Sequence, residues 1–523
     1  MSDSIVDVKR IEKTAKANRG ELARIGFAVL FLIMVMIYSS TIMGNTPGSV
    51  MLVAAATIGG YMAMNIGAND VANNVGPAVG SHAITLTGAI LIAVFFEAGG
   101  ALIAGGDVVG TIKSGIISPD AVHSSAEFVW LMMAALLAAA LWLNFATAVG
   151  APVSTTHSIV GGVLGAGIAA GGMAIADWGQ VGRIVASWII SPLMGGVIAA
   201  AFLLLVKRTI NYRPDILAAG RRMVPLLIGV MGWAFTTYLL IKGTKRIIKV
   251  DFPTALVVGL IVALIITMLA RWRVNKAAQN LPNSKDGINE LFTIPLIFAA
   301  AMLSFAHGAN DVANAVGPLA GIADALKTGV ISTKASIPIW VMLIGAAGIS
   351  IGLGLFGPRL IRTVGSEITE LDKTRAFCIA LAAAITVIIA SQLGLPVSST
   401  HIAVGGVFGV GFLREFLKHN YAMMIAEIRS HHEDDPEAAE AFVSQFEAAT
   451  ITERSDMLRS LKQQKAEGAL TNTERKALNK IHRVELVRRH LLIKIAAAWV
   501  ITVPVSGLLS AMFFFMLRGM MLP

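Results

Sequence analysis

The stretch GANDVANNVGPAVG at residues 67–80 recurs as GANDVANAVGPLAG at residues 308–321, and 11 of its 14 positions are identical. A second pair follows, PVSTTHSIVGGVLGAG from Pro152 and PVSSTHIAVGGVFGVG from Pro396. The order and the spacing of the two motifs repeat as well. A duplicated polar motif, broken by Gly and Pro inside apolar sequence, is typical of transporters whose two halves share one central site.

The composition places this duplication in a membrane, because 55% of the 523 residues are hydrophobic and the mean hydropathy is +0.73. A membrane-crossing helix needs about 20 apolar residues. Five stretches are long enough to cross: 26–43, 223–241, 252–270, 337–356 and 491–516. We expect an all-α polytopic membrane protein with about ten to twelve membrane segments, some of them re-entrant. The apolar runs are continuous, which excludes the alternating pattern of a β-barrel.

The repeats and the charged loops divide the chain into six parts. These are an N-terminal polar segment with the first span (1–48), transport repeat 1 (49–206), basic loops with two linking spans (207–291), the main part of transport repeat 2 (292–412), a soluble helical insertion (413–490) and the last span of repeat 2 (491–523).

Charge in the linking loops predicts the orientation of the repeats. Loops 207–222 and 271–289 are rich in Lys and Arg, and two spans separate them, so they share one side. Basic loops remain in the cytoplasm, and the same counting of spans puts residues 413–490 there. Repeat 1 would then enter the membrane from outside and repeat 2 from inside. We therefore expect two inverted-topology repeats with broken helices, the arrangement that permits alternating access.

The two aspartates of the duplicated motif, Asp70 and Asp311, are the first candidates for chemistry. A carboxylate at membrane depth costs several kcal/mol unless it meets a cation, a proton or a polar cavity. Gly and Pro interrupt both motifs, and irregular backbone survives in a membrane only where it lines a cavity. The alternative is a pair of ordinary loop residues at the membrane interface.

The second motif offers an anion cradle. Pro152 and Pro396 are placed where a helix would begin, and hydroxyl residues follow each of them. A helix start of this kind presents free backbone N–H groups and hydroxyls at the positive end of the helix dipole. A hydroxyl-capped turn without a ligand is the alternative. His157 and His401 follow the hydroxyls and either carry protons or hold the turn by hydrogen bonds.

The combination of hydroxyls and carboxylates favours phosphate as the ligand. None of the four motif copies contains Arg or Lys. A carboxylate can accept a hydrogen bond from protonated phosphate or bind a coupling cation. Deprotonated sulfate has no proton to donate, so its oxygen lone pairs would repel those of the carboxylate. A sulfate or other oxyanion transporter is the nearest alternative, followed by a cation channel or exchanger that uses the two aspartates alone. A hydrolase built on Ser154, His157 and Asp70 is disfavoured, because an enzyme needs one nucleophile and the motif is duplicated.

The two GANDVAN copies and the two PVS[ST]TH copies closely resemble the PiT (PHO4) inorganic phosphate transporters over nearly the whole chain except 413–490. The resemblance implies a twelve-segment inverted repeat and symport of phosphate with a cation, H+ or Na+, in the bacterial inner membrane. The chain looks like the low-affinity bacterial members, which are usually proton-coupled and can carry phosphate as a neutral metal complex. By residue match, the substrate and ion sites would be formed by Asn69, Asp70, Asn73, Ser154, Thr155, Thr156, Asn310, Asp311, Asn314, Ser398, Ser399 and Thr400.

Three further residues are candidates for coupling or gating: Glu97, His157 and His401. Glu97 is similar to a family glutamate and has no acidic counterpart in repeat 2, where Gly345 falls opposite. Asp70 and Asp311 would bind a metal ion only if Na+ drives transport. We expect no cofactor, and the expected partners are inorganic phosphate, the coupling cation and the lipid bilayer. A homodimer is left open, and the absence of a clustered basic surface with aromatics argues against nucleic acid.

Overall fold

The computed structural model describes the backbone of residues 2–43, 48–118, 121–151, 153–243, 250–331, 337–367, 371–430, 441, 443–445, 457 and 489–521. The first part of the chain forms α1 (Ser2–Met43), α2 (Ser49–Asn69), α3 (Val71–Gly80), α4 (Leu86–Ala104), α5 (Ser125–Val149), α6 (Thr155–Gly171) and α7 (Trp178–Val206). Two long helices follow, α8 (Ile216–Lys242) and α9 (Phe252–Ala278). The second part forms α10 (Lys285–Leu291), α11 (Thr293–Asp311), α12 (Ala313–Thr328), α13 (Ile339–Glu367), α14 (Lys373–Gln392), α15 (Ser399–Ser430) and α16 (Arg489–Met521).

The described residues contain 11 helical segments that are long and apolar enough to cross a membrane. Two of these segments each contain two consecutive helices: Ser49–Gly80 contains α2 and α3, and Thr293–Thr328 contains α11 and α12. The expectation of an all-α polytopic protein with about ten to twelve membrane segments is therefore confirmed. Helices α6 and α15 are not among the 11 segments, and each begins with buried residues inside the bundle.

Helices of the first part pack in pairs against helices of the second part: α2 on α13, α4 on α11, α6 on α16 and α7 on α15. Glycines bring the backbones together, as small residues do between membrane helices. A Cβ atom at Gly67 would overlap the carbonyl oxygen of Ile349, and one at Gly308 would overlap that of Glu97. A larger residue at either glycine would push the paired helices apart.

The duplicated motif lies at two helix interruptions, as expected, but the backbone is less irregular than the sequence suggested. Asp70 separates α2 from α3 while keeping helical dihedrals, with φ −88° and ψ −34°. Val312 separates α11 from α12 in the same way, with φ −56° and ψ −29°. Pro77 and Pro318 lie inside α3 and α12. The interruption is thus a local change of hydrogen bonding, not an unwound segment.

The predicted insertion 413–490 is described only in part. Helix α15 continues through Ser430, so the beginning of this segment is helical. Its residues 431–440, 442, 446–456 and 458–488 lie outside the described part of the chain.

Candidate functional site

The candidate site lies where the interruptions at Asp70 and Val312 meet the first turns of α6 and α15. All of the predicted site residues in the two motif pairs are buried, with exposures of 4% or less: Asn69, Asp70, Asn73, Ser154, Thr155, Thr156, Asn310, Asp311, Asn314, Ser398, Ser399 and Thr400. Hydrogen bonds between the motifs join residues that are far apart in the sequence into one polar cluster inside the helix bundle.

Serine caps set the direction of the two helix starts. The Ser154 hydroxyl accepts a hydrogen bond from the backbone N–H of His157 at 3.1 Å, and Ser398 accepts one from His401 at 3.3 Å. An N-cap of this kind satisfies one of the free N–H groups of the first turn. The sequence pattern predicted that each helix begins at its proline, but Pro396 precedes the N-cap residue Ser398 by two positions, and Pro152 lies outside the described residues. The serine is the N-cap residue, because its hydroxyl can accept the hydrogen bond from the backbone N–H of the first turn.

The asparagines join each motif to the other half of the chain. Asn73 Nδ2 donates to Thr400 Oγ1 at 2.9 Å, and its counterpart Asn314 donates to Thr156 Oγ1 at 3.2 Å. These two bonds are equivalent, since Asn73 matches Asn314 and Thr400 matches Thr156 in the repeats. Each GANDVAN motif therefore contacts the PVS[ST]TH motif of the opposite half.

The first asparagines of the motifs serve a different purpose, because they hold the chain that leads to the helix starts. Asn69 donates to the carbonyl of Val153 at 3.3 Å. Asn310 donates to the hydroxyl of Ser391 at 2.9 Å and to the carbonyl of Leu395 at 3.3 Å. These amides position the cradle from within their own half.

The two aspartates converge on one hydroxyl. Thr155 Oγ1 lies 2.6 Å from Asp70 Oδ2 and 3.3 Å from Asp311 Oδ2, and Thr400 Oγ1 donates to Asp70 Oδ1 at 3.2 Å. Thr155 has a single hydroxyl proton, so it cannot satisfy both carboxylates. Two buried carboxylates this close repel each other unless a cation or a proton lies between or beside them.

Several polar atoms of the site have no hydrogen-bond partner within the described chain. They are Asn310 Oδ1, Asp311 Oδ1, Asn314 Oδ1 and Ser399 Oγ. Three of these atoms are amide or carboxylate oxygens, which can only accept, and the fourth is a hydroxyl that can also donate. Buried orphan atoms in a native structure call for water, an ion or a ligand as partner. The three acceptor oxygens therefore fit a cation, and the Ser399 hydroxyl can donate to an oxyanion.

Glu97 connects to Asp311 through a histidine that the sequence reasoning missed. His307 Nδ1 lies 2.6 Å from Glu97 Oε2, and Nε2 lies 3.2 Å from Asp311 Oδ2 without hydrogen-bond geometry. Glu97 also accepts a bond from Asn74 Nδ2 at 2.9 Å. His307 precedes Asp311 by one helical turn, a spacing that could have indicated this contact.

This polar trio exists in one half of the molecule only. The contact of Gly308 with the Glu97 carbonyl matches that of Gly67 with Ile349, so Ile349 is the counterpart of Glu97, and not Gly345 as the sequence suggested. His307 and Asn74 correspond to Ile66 and Ala315 in the repeats. The trio of Asn74, Glu97 and His307 is thus replaced in the other half by Ala315, Ile349 and Ile66.

One group of side chains has the spacing of a cation site. Ligand atoms of Asp70, His307 and Asp311 all lie within 4.8 Å of one another. The sequence had proposed the two aspartates for Na+, and the structure adds the imidazole. Hard cations prefer oxygen ligands, so the aspartates and the unpartnered amide oxygens suit Na+ better than the histidine does.

His157 and His401 lie outside this cluster of carboxylates. Their rings meet edge to face with centroids 4.5 Å apart. His157 packs on Trp188 at 3.7 Å and His401 stacks on Trp499 at 3.4 Å. Neither nitrogen of His401 has a hydrogen-bond partner among the described residues. The four rings form an aromatic cluster between α6, α7, α15 and α16.

The chain is similar to known proteins over nearly its whole length. A model of the phosphate transporter family matches residues 66–510. A Helicobacter pylori protein named "Putative phosphate permease" is 52% identical over 521 residues, 98% of each chain. One of that name from Pyrococcus abyssi is 40% identical over 367 residues, 69% of this chain and 89% of its own. A solved structure described as "The sodium-dependent phosphate transporter" matches with a TM-score of 0.74 and 31% identity, covering 90% of this chain and all of the other.

Proposed function

The chain belongs to the phosphate transporter family, and from that premise we propose that it imports inorganic phosphate by symport with a cation, Na+ or H+. One phosphate binds at the interface of two inverted repeats, between the helix starts of α6 and α15. The repeats rock around this site and expose it to each side of the membrane in turn. The observation that carries the proposal is the reciprocal pair of bonds from Asn73 to Thr400 and from Asn314 to Thr156.

The chemistry of the cradle supports phosphate over sulfate. Backbone N–H groups and hydroxyls at two helix starts suit an oxyanion, while Asp70 and Asp311 lie in the same cluster. A protonated oxygen of phosphate can donate a hydrogen bond to a carboxylate, which deprotonated sulfate cannot do. A sulfate carrier on the same scaffold remains the competing function.

Coupling to a cation follows from the charge balance of import. Each negative charge moved into a negative interior costs about 2.3 kcal/mol per 100 mV. Asp70 and Asp311, with the unpartnered oxygens of Asn310 and Asn314, can hold the cation that offsets this cost. Sodium is supported by the similar solved structure, because that transporter is described as sodium-dependent.

Glu97 and His307 provide a route for protons to the same site. The imidazole faces a carboxylate at each nitrogen, and it can donate at both nitrogens only as the protonated imidazolium. A coupling cation bound beside Asp311 would repel the positive charge of the imidazolium ring. Binding of the cation would therefore favour loss of the His307 proton, and the two events are linked. We assign Glu97 a coupling role for this reason.

His157 and His401 are proposed to gate the site by packing. The aromatic cluster joins helices from both repeats, and His157 Nδ1 lies 3.5 Å from the Trp499 carbonyl of the other half. Movement of one repeat against the other must separate or slide these rings. We therefore place the histidines in the contact between the halves, apart from the ions.

The sidedness of the protein is proposed from its loops. Residues 207–222 and 413–490 face the cytoplasm, and the protein resides in the inner membrane of a bacterium with repeat 1 entering from outside. Cysteines introduced between the end of α7 and the start of α8 should react with an impermeant reagent only after the cell is opened. Labelling in intact cells would reverse the assignment.

Uptake of labelled phosphate into proteoliposomes tests the proposed symport. A sodium gradient and a pH gradient are imposed separately, with Asp70→Asn as the inactive control. Accumulation driven by only one of the gradients identifies the coupling ion. If neither gradient drives accumulation in wild-type vesicles that still exchange phosphate, the protein is a uniporter and the symport proposal fails.

A further inference from the structure

A cavity of about 520 Å³ lies between the linking helices α8 and α9 and the helices α4 and α11. Its volume is within the range of about 300–1,000 Å³ that is typical of small-molecule sites. Helices α8 and α9 pack closely along each other, while α8 reaches α4 and α11 at only a few positions. The hairpin of α8 and α9 therefore stands off from the rest of the bundle and leaves this space open.

The wall of the cavity is almost entirely apolar. Phe96 on α4, Phe235 on α8 and Phe298 on α11 contribute aromatic rings, and Ile266 and Leu269 contribute branched side chains from α9. Helix α9 is the least covered of the candidate spans, since only 17% of its most apolar stretch is buried. An apolar space that adjoins a lipid-facing helix suits a hydrocarbon chain.

One end of the cavity carries charge. Arg273 and Glu290 are part of its lining, but both Glu290 oxygens are bound by Lys373 Nζ at 2.7 and 2.8 Å. Arg273 makes no ion pair within the described chain, and its guanidinium lies 5.1 Å from the ring of Trp272. The carboxylate is therefore neutralised, and the guanidinium remains available for an anion.

Trp272 indicates the depth of this charged end. Its side chain is 59% exposed near the end of α9, and Lys276 lies over the same ring at 5.8 Å. Exposed tryptophan flanked by cations is typical of the level of lipid headgroups. Basic pockets between membrane helices bind the headgroups of anionic lipids.

We propose that this cavity binds one anionic phospholipid, with an acyl chain among the apolar side chains of α4, α8, α9 and α11 and with its phosphate on Arg273. The lipid would fill the gap that the hairpin of α8 and α9 leaves. It would also support the transport core, because Phe235 packs edge to face on Phe305 at 5.2 Å, two positions before His307.

Native mass spectrometry of the purified full-length protein tests this site. Delipidated protein is titrated with phosphatidylglycerol and, separately, with phosphatidylcholine of the same acyl chains. We expect one phosphatidylglycerol to bind more tightly than phosphatidylcholine. Arg273→Gln should weaken that binding about fivefold, the effect expected for one cation near an anionic headgroup. Arg271→Gln is the matched control, since Arg271 is exposed on the same helix and does not line the cavity.

A second variant tests the apolar part independently of charge. Ala301 is buried in the cavity wall, and Ala301→Phe should displace the acyl chain and lower the bound lipid count by one. If Arg273→Gln and Arg271→Gln weaken phosphatidylglycerol binding equally, the proposal is overturned, because the whole basic surface and not the cavity would then attract the lipid. An unchanged lipid count in a correctly folded Ala301→Phe protein would overturn it as well. Loss of a dimer in that variant, without loss of lipid, would assign the cavity to a second copy of the chain.

Discussion

The amide of Asn73 donates a hydrogen bond of 2.9 Å to the hydroxyl of Thr400, 327 positions away in the chain. The bond runs from an interrupted helix of the first half to a helix start of the second, and its counterpart from Asn314 to Thr156 runs in the opposite direction. Neither half can complete its polar cluster alone. This crossed arrangement explains why both motifs are duplicated together.

Removal of one crossed bond should weaken phosphate binding. Thr400→Val preserves the shape of the side chain but removes the hydroxyl that serves both Asn73 and Asp70. A buried group left without its partner costs about 1–3 kcal/mol, so we expect the KM for phosphate to rise by a factor of about 5 to 150. Thr156→Val should act in the same direction. The measurement is initial uptake in proteoliposomes over a range of phosphate concentrations.

The matched control for these variants is Thr386→Val. Thr386 is equally buried, but among the described residues its hydroxyl bonds only to the Ala382 carbonyl of its own helix, at 2.8 Å. Its KM should remain near the wild-type value. An equal rise in KM for Thr386→Val would mean that the site variants act through general loss of packing.

Replacement of Asp70 by Asn should abolish accumulation of phosphate while the protein still folds. The amide has the shape of the carboxylate and can still meet the hydroxyls of Thr155 and Thr400. It carries no charge to hold the coupling cation, so uptake should fall to the level of empty vesicles. Asp311→Asn should behave in the same way. The elution profile of each variant in size-exclusion chromatography serves as the control for folding. If either variant accumulates phosphate as the wild type does, that aspartate is not part of the site.

Much of this arrangement can be predicted from the sequence, because the duplicated motif carries both the position and the chemistry of the site. The gathering of Asp70, Asp311 and the hydroxyl residues follows from two halves that share one centre. His307 was missed because it occurs in one copy only, so comparison of the copies gives no signal. The counterpart of Glu97 was misplaced by four positions, since helix register between the halves is defined by contacts such as that of Gly67 with Ile349.

The aromatic cluster and the cavity beside α8 and α9 could not be predicted for a related reason. Trp188 and Trp499 lie outside the duplicated motifs, and only the packing of α7 on α15 and α6 on α16 brings them to the two histidines. The cavity depends on a gap between helices, which no sequence pattern records. Local patterns predict elements and motifs, whereas the distances between helices arise from the packing of all of them.

The trio of Asn74, Glu97 and His307 should be dispensable for folding but required for uptake. His307→Ile alone removes the histidine partner of the buried Glu97 and leaves it only the amide of Asn74; loss of one partner of a buried charged pair costs about 3–5 kcal/mol. The triple variant Asn74→Ala, Glu97→Ile, His307→Ile copies the residues of the other half and should recover the lost thermal stability. Transport should stay absent in both variants. A triple variant that accumulates phosphate normally would show that the trio serves structure only.

Substitution of His401 by Phe should leave transport largely intact. Its two ring nitrogens have no hydrogen-bond partner within the described chain, while its face stacks on Trp499 at 3.4 Å. A phenyl ring keeps the stacking surface, so uptake should remain within about twofold of wild type and keep the same pH profile. His401→Ala should lower the maximal rate, since it removes the edge-to-face contact with His157 of the other half and leaves a gap in the packing. A changed pH profile in the Phe variant would instead assign His401 to proton transfer.

Arsenate should compete with phosphate for uptake, and sulfate should not. Arsenate has the tetrahedral shape and the protonation of phosphate near neutral pH, so it can donate a hydrogen bond to Asp70 or Asp311, whereas sulfate presents only acceptors. Uptake of labelled phosphate should therefore fall progressively as the concentration of arsenate is raised, with a higher apparent KM and an unchanged maximal rate. The same excess of sulfate should leave uptake unchanged and so controls for ionic strength. Equal inhibition by sulfate would show that the carboxylates do not select the anion, and the oxyanion carrier of broader specificity would become the better description.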